Sequence, residues 1–213
     1  MFKYLIALLF YSFTFHAMSS SLEKPYHHIT DDKGNIISFR NPEGSPQRDS
    51  SFNWSFKVFN EEKKKINTDI SPDHVIDKKE VLENLKKYKN KDYVAWIGHA
   101  TFLIKLGNTT NITDPIFEKN MGPLIFGPKR YVDPAINLEE IPEINLFLLT
   151  HNHYDHLSTR TIQRFPYKKS KVLAPLKLGK YFTRNGFSDV KEMDWYDEIK
   201  VNDLKITFLL FKS

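Results

Sequence analysis

The order of apolar and polar residues divides the chain into three unlike stretches. Residues 4–15 form an almost unbroken apolar run behind a single cation, Lys3. Residues 19–90 are polar and punctuated by turn formers, DDKGN at 31–35 and NPEGSP at 41–46. Such a pattern predicts an extended wrapping arm with little regular structure, anchored on the main domain by Trp54, Phe56 and Phe59. One helix is expected inside it: Asp77 stands as N-cap with Glu80 three residues on, and Val81, Leu85 and Tyr88 share a face.

From Asp92 onward the pattern becomes that of strands. Residues 93–97 and 101–106 are aromatic and β-branched, and Gly107-Asn108 offers a tight turn into a third strand, 109–113, which Asp114-Pro115 stops. Residues 121–134 are a loop rich in Gly and Pro, long enough to suggest function beyond simple connection. The apolar run 145–149 reads as a buried strand. A short helix over 158–165 with Ser158 as cap follows, then a strand at 171–174, a helix over 176–185 closed by Gly186, and strands at 198–201 and 204–208. Strands alternating with helices after a β-meander place the chain in the mixed α/β class (α+β, four-layer), as one half of an αββα sandwich.

Composition adds limits. At 213 residues and 40% hydrophobic, the chain has material for one domain of ordinary size. It has no cysteine, which excludes disulfides and thiolate metal sites, so any metal must be held by His and carboxylate. The formal charge of +5 comes from lysine spread along the chain, with one local run, EEKKK at 61–65. It fits either a solvated lysine-rich surface or attraction to an anionic membrane surface or phosphate substrate; no nucleic-acid partner is expected. Lys3, the apolar run and the small residues Ala17-Met18-Ser19 together read as an export signal. Cleavage would leave a periplasmic protein, and retention would leave a membrane-associated one. The expected organisation is a signal peptide at 1–19, an arm at 20–90 and a main domain at 91–213.

The densest chemistry lies in LTHNHYDHLS, residues 149–158, directly after a predicted strand. His151, His153, Asp155 and His156 fall within six positions. Neutral imidazoles and a carboxylate are the ligand set that Zn²⁺ and similar metals prefer. A loop leaving a strand end can curl so that His151 and His153 share one metal, with Asp155 and His156 offered to a second beside it. His27, His28 and His74 have no neighbouring carboxylate in sequence and read as surface residues.

Four segments carry a resemblance: WIGHATFLI at 96–104, TDP at 113–115, GPKRY at 127–131 and THNHYDHL at 150–157. In this order they resemble the N-terminal half of a metallo-β-lactamase-superfamily hydrolase, in the branch containing N-acylphosphatidylethanolamine phospholipase D. The likeness runs from about Asp92 to Phe208, and more weakly back to residues 39–42. It implies metal-assisted hydrolysis of a phospholipid or other phosphodiester by water activated at two zinc sites, with iron or manganese as alternatives. His151 and His153 would hold the first metal, and Asp155 and His156 the second, with Asp155 also orienting the water. Asp114 would steady a ligand histidine from beneath, and His99 would either line the cleft or serve as a structural residue. Lys129 and Arg130 are candidates for phosphate contacts.

The resemblance also implies a third histidine, a bridging aspartate and a final histidine, contributed after the strand at 204–208, where this chain reads LLFKS and stops. The expectation is therefore a domain incomplete at its C-terminus. Three outcomes stay open: an enzyme completed by a complementary C-terminal polypeptide, an inactive remnant, or a secreted metal- or lipid-binding module.

Overall fold

A computed structural model describes residues 27–41, 44–45, 71, 74–122 and 129–209. The expected signal segment and the anchors Trp54, Phe56 and Phe59 lie outside the described residues. The chain divides into two units, Met1–Pro46 and Gln47–Ser213.

In the first unit, β1 (His28–Thr30) and β2 (Ile36–Phe39) pair antiparallel. The DDKGN segment is their turn. Asp31 Oδ1 accepts from the backbone N–H of Lys33 and Asn35 at 2.9 and 2.8 Å, and Gly34 takes φ 79. The arm thus contains a hairpin, because the break in hydropathy is a side chain-stabilised reversal and not a loop. His27 is a correction to the sequence reading: it is 3% exposed, its ring stacked on Phe39 and edge-on to His28.

The second unit opens with α1 (Lys78–Lys87), whose N-terminus is capped as expected: Asp77 Oδ1 accepts from Lys79 N–H at 2.8 Å. Val81, Leu82 and Leu85 lean on the core from one face. The strands β3 (Tyr93–Gly98), β4 (Thr101–Leu106) and β5 (Thr109–Thr113) form an antiparallel meander. Next come β6 (Leu146–Leu148), α2 (Thr159–Arg164), β7 (Lys171–Pro175), α3 (Lys180–Thr183) and β8 (Val190–Met193). Together the strands make one mixed sheet in the order β3-β4-β5-β6-β7-β8, parallel from β5 onward. Two expectations change here. The helix over 176–185 shrinks to α3 because Lys177 takes φ 68, a left-handed conformation that no helix continues through. The strand β8 has a single buried residue, Met193, so its VKEM sequence carries almost no apolar signal; pairing with β7 makes it a strand.

One face of the sheet holds the main core. Phe147 meets Phe165, Phe182 and Phe187 with ring centroids 5.1, 4.8 and 6.0 Å apart, all buried. On the other face Leu146, Leu173 and Met193 pack against the hairpin of β9 (Glu198–Val201) and β10 (Leu204–Thr207). Asn202, in that hairpin's turn, donates to Thr109 Oγ1 at 2.8 Å. The parallel register Thr113↔Leu148 sets the C-terminal ends of β5 and β6 side by side. Loops leaving that edge meet over it, the usual place for a site in such sheets. Among the described residues no helix is long and apolar enough to cross a membrane.

Candidate metal centre

The site is built upward from one buried carboxylate. Asp114 follows β5 directly, is 2% exposed and takes φ 37. Its Oδ1 accepts from Thr150 N–H at 2.8 Å, while its Oδ2 accepts from the Thr150 hydroxyl at 2.6 Å and from His156 Nδ1 at 2.9 Å. An ionised carboxylate only accepts, so His156 carries its proton on Nδ1 and keeps the Nε2 lone pair. The Thr150 hydroxyl, having donated to Asp114, accepts from His151 Nδ1 at 2.9 Å. His151 therefore also keeps its Nε2 lone pair. One carboxylate thus sets the tautomer of two histidines, one directly and one through Thr150.

The loop after β6 curls as the motif suggests. His153 C=O accepts from the N–H groups of His156 and Leu157 at 3.0 and 2.8 Å, which turns residues 153–157 back over the sheet. The rings of His151 and His153 lie 4.5 Å apart and those of His151 and His156 3.9 Å apart. Ser158 caps α2, accepting from Thr161 N–H at 3.1 Å, and Glu118 accepts from the hydroxyls of Ser158 and Thr161. Glu118 thereby ties the chain leaving β5 to the helix behind the loop.

A second element reaches the same place. Between β3 and β4 the chain reverses at His99-Ala100, with Gly98 at φ 136 and His99 at φ 53. Trp96 Nε1 donates to His99 C=O at 2.7 Å across this turn. His99 Nε2 lies 2.9 Å from Asp155 Oδ2, and His156 Nε2 lies 3.8 Å from that same oxygen. Two of the five non-glycine residues with positive φ among the described residues, His99 and Asp114, belong to the site, where strained backbone is often found.

Electrostatics keep the donors in the form a metal needs. Burial alone would raise the Asp155 carboxyl, but the His99 hydrogen bond, a backbone hydrogen bond and the neighbouring imidazoles outweigh it and hold it below the usual carboxylate range. Burial, helped by His156 and His153, pushes His151 below the ordinary imidazole value, against the smaller pull of Asp114 and Asp155. Metal ligation requires these unprotonated forms. Among the described residues His99, Asp155 and His156 each bring one donor atom within 4.8 Å of the others, a donor set and spacing that fit a divalent transition metal.

The two expected phosphate contacts have different surroundings. Lys129 is exposed and bridges to Asn120. The Arg130 guanidinium is half-buried and donates to Ile116 C=O at 3.0 Å and Val132 C=O at 3.2 Å. A Cβ on Gly98 would come within 2.5 Å of Arg130 Nη2, so Arg130 clamps the turn that carries His99. Burial lowers its pKa, opposed by Asp133 and Glu118. Beside this clamp lies a cavity of about 800 Å³, walled by Val81 and Leu85 of α1 and Tyr88 just after it, by Tyr93 and Trp96 of β3 and by Tyr131, with His99 and Arg130 among its lining.

Sequence reading brought out Asp114, His151, His153, Asp155 and His156, and left His99 between two roles. It missed Thr150 and Glu118. Thr150 adjoins the motif but gives no spacing signal of its own, and Glu118 finds its partners about forty residues away.

Residues 109–213 match the family model described as the beta-lactamase superfamily domain. The chain is 32% identical over 48% of its length to N-acyl-phosphatidylethanolamine-hydrolyzing phospholipase D 1 of Caenorhabditis elegans. It is 28% identical over 51% of its length to the mitochondrial N-acyl-phosphatidylethanolamine-hydrolyzing phospholipase D of Saccharomyces cerevisiae. These matches span 31% and 24% of those relatives, so the chain covers about a third or less of their length. Among solved structures, a diiron beta-hydroxylase from Streptomyces venezuelae is similar at 26% identity, over 57% of this chain and 24% of that one, with a TM-score of 0.43.

Proposed function

We propose, for a chain that belongs to the metallo-β-lactamase superfamily, metal-dependent hydrolysis of a phosphodiester in a phospholipid-type substrate. The observation that carries this reading is the continuity between an apolar cavity and the donor cluster: His99 lines the cavity and bonds Asp155 of the metal loop. An amphiphile with its tail along Tyr88, Tyr93 and Trp96 would bring its polar group to His99 and Asp155. The similarity to phospholipases D of two organisms supports the same substrate class.

Zinc is the ion we propose, because imidazole and carboxylate donors suit it, with iron or manganese as the alternatives that metal analysis would separate. When bound, it would polarise the phosphoryl oxygens and ionise a water near neutral pH. The chain's own residues do the rest. Asp114 and Thr150 hold His151 and His156 in one tautomer each, Asp155 orients the attacking water, and Lys129 offers a cation to the phosphate. The net charge of +5 favours an anionic membrane surface as the place where substrate is met. Export through residues 1–19 belongs to the same proposal; N-terminal sequencing of the mature protein should begin near Ser20 or Ser21, and an intact Met1 in the cytoplasm would contradict it.

Trp96 makes the substrate reading testable without turnover. It is 55% exposed in the cavity wall, so a long-chain alkyl phosphodiester should blue-shift its emission, and the shift should vanish in Trp96→Phe. Equal emission changes in wild type and Trp96→Phe would place the amphiphile elsewhere and remove the cavity from the argument.

A further inference from the structure

We infer that Arg130 is a positioning residue for this site: its guanidinium fixes the turn bearing His99 against the segment bearing Asp114, and so holds His99 on Asp155. The inference rests on the metal-dependent reading above and deepens it. It gives a different role to a cation whose residue type alone suggests a phosphate contact.

Every nitrogen of the guanidinium faces protein backbone. Nη1 donates to Ile116 C=O at 3.0 Å, two residues beyond Asp114, and Nε donates to Val132 C=O at 3.2 Å. Nη2 abuts Gly98, where an added Cβ would come within 2.5 Å of it, one residue before His99. Main-chain bonds close the same seam: Arg130 N–H donates to Lys119 C=O and Ala135 N–H to Ile97 C=O, both at 2.8 Å.

One planar group thus joins the ends of β3 and β5, which do not pair with each other because β4 lies between them. A third element is tied in through charge. Arg130 attracts Glu118, whose carboxylate accepts from Ser158 and Thr161 at the start of α2, directly after the histidine-rich loop.

The bond that this seam serves cannot hold itself. An ionised Asp155 only accepts, so His99 donates from Nε2 across 2.9 Å. Both side chains are 36% exposed, and a hydrogen bond so open to water adds little net stability. The turn must therefore hold the bond, and not the bond the turn. Charged donors on two carbonyls supply the stronger restraint. A lysine would keep the cation, but its single ammonium cannot meet three points in one plane. Arg130 also borders the apolar cavity, so contact with phosphate is the rival role that experiment must separate.

The test is nitrogen-15 NMR of the histidine and arginine side chains in the full chain without added metal. Asp155→Ala removes the acceptor and defines the signal of an unbonded His99. Arg130→Lys and Arg130→Gln should both move the His99 Nε2 signal most of the way to that reference, with the ring signals of the Phe147 cluster unchanged. Melting temperatures check folding; should Arg130→Gln unfold, Arg130→Lys decides. Inorganic phosphate added to wild type should leave the Arg130 Nε signal where it was. A wild-type His99 signal in Arg130→Lys would overturn the inference, because charge alone would then suffice. A saturable shift of Arg130 Nε with phosphate would overturn it too, in favour of the rival role. Neither result touches the hydrolase reading, which zinc-dependent cleavage by wild type judges separately.

Discussion

At the scale of single residues, the site depends on Asp114 more than on any histidine. Buried and accepting three hydrogen bonds, it sets the donors of His156 directly and of His151 through Thr150. Thr150→Val removes the hydroxyl from this chain at nearly constant volume, and Asp114→Asn places an amide where donors converge. Each should weaken zinc binding by about 10–100-fold, as loss of an outer partner does, in competition titrations against a chromogenic chelator. Wild-type affinity in both would dissociate the chain of hydrogen bonds from the metal. Acid lability follows from the same residues. His151 has a folded-state pKa below the ordinary 6.5, so the unfolded chain takes up a proton at higher pH than the folded one. Its contribution to stability is present above the unfolded value and is lost as pH falls through the folded one. Asp155, also lowered, behaves likewise in the more acidic carboxylate range below 3.8. The melting temperature of the metal-free protein should therefore decline between about pH 7.5 and 5.5, where imidazoles titrate, and decline less in His151→Gln; parallel declines would assign the lability elsewhere. The HxHxDH spacing offered the candidate donors, while Asp114 stood out only through the resemblance, since its own sequence signal, Asp-Pro, reads as the end of a strand. Thr150 was not legible, because its role comes from the β5–β6 register that sets it against Asp114.

At the scale of elements, the β3–β4 turn and the loop after β6 have to arrive together. The strands β3 and β4 were readable from their aromatic and β-branched residues, and β3, β4 and β9 bury alternate positions, whereas β5 is buried on both sides. Failures occurred where tertiary pairing replaces local pattern. Two charged residues hide β8 until β7 pairs with it, and the left-handed Lys177 stops a helix whose composition would let it run. His99 is the instructive case, since nothing near it in sequence indicates a partner fifty-six residues away. The turn that delivers it is held by Gly98, whose φ of 136 and close approach to Arg130 admit no side chain. Gly98→Ala should destabilise the fold by about 1–3 kcal/mol, the scale of a forced backbone conformation, and should weaken zinc binding by moving His99. Chemical denaturation and zinc titration of one sample check both effects. A stable Gly98→Ala variant with wild-type affinity would mean that the turn does not position His99.

At the scale of the whole molecule, the sheet separates stability from chemistry. The aromatic cluster around Phe147 and the hairpin packed on Leu146, Leu173 and Met193 hold the strands, while the C-terminal edge of β5 and β6 carries the donors. The cavity beside β3 joins that edge to an apolar wall, which the sequence did not announce because α1 and β3 line it from separate stretches. The central claim is zinc-dependent cleavage of a phospholipid phosphodiester with Asp155 in the reacting centre. Phosphorus NMR of N-acylphosphatidylethanolamine vesicles tests it most directly, using the protein purified from its own host, stripped of metal and then reloaded with zinc. The expected result is a phosphomonoester signal that grows only after zinc is added, at a rate that falls by about 10³ in Asp155→Ala, equivalent to ~4 kcal/mol in the barrier. Phosphomonoester formation that is indifferent to zinc or to Asp155, or none from the zinc-loaded protein, would contradict it.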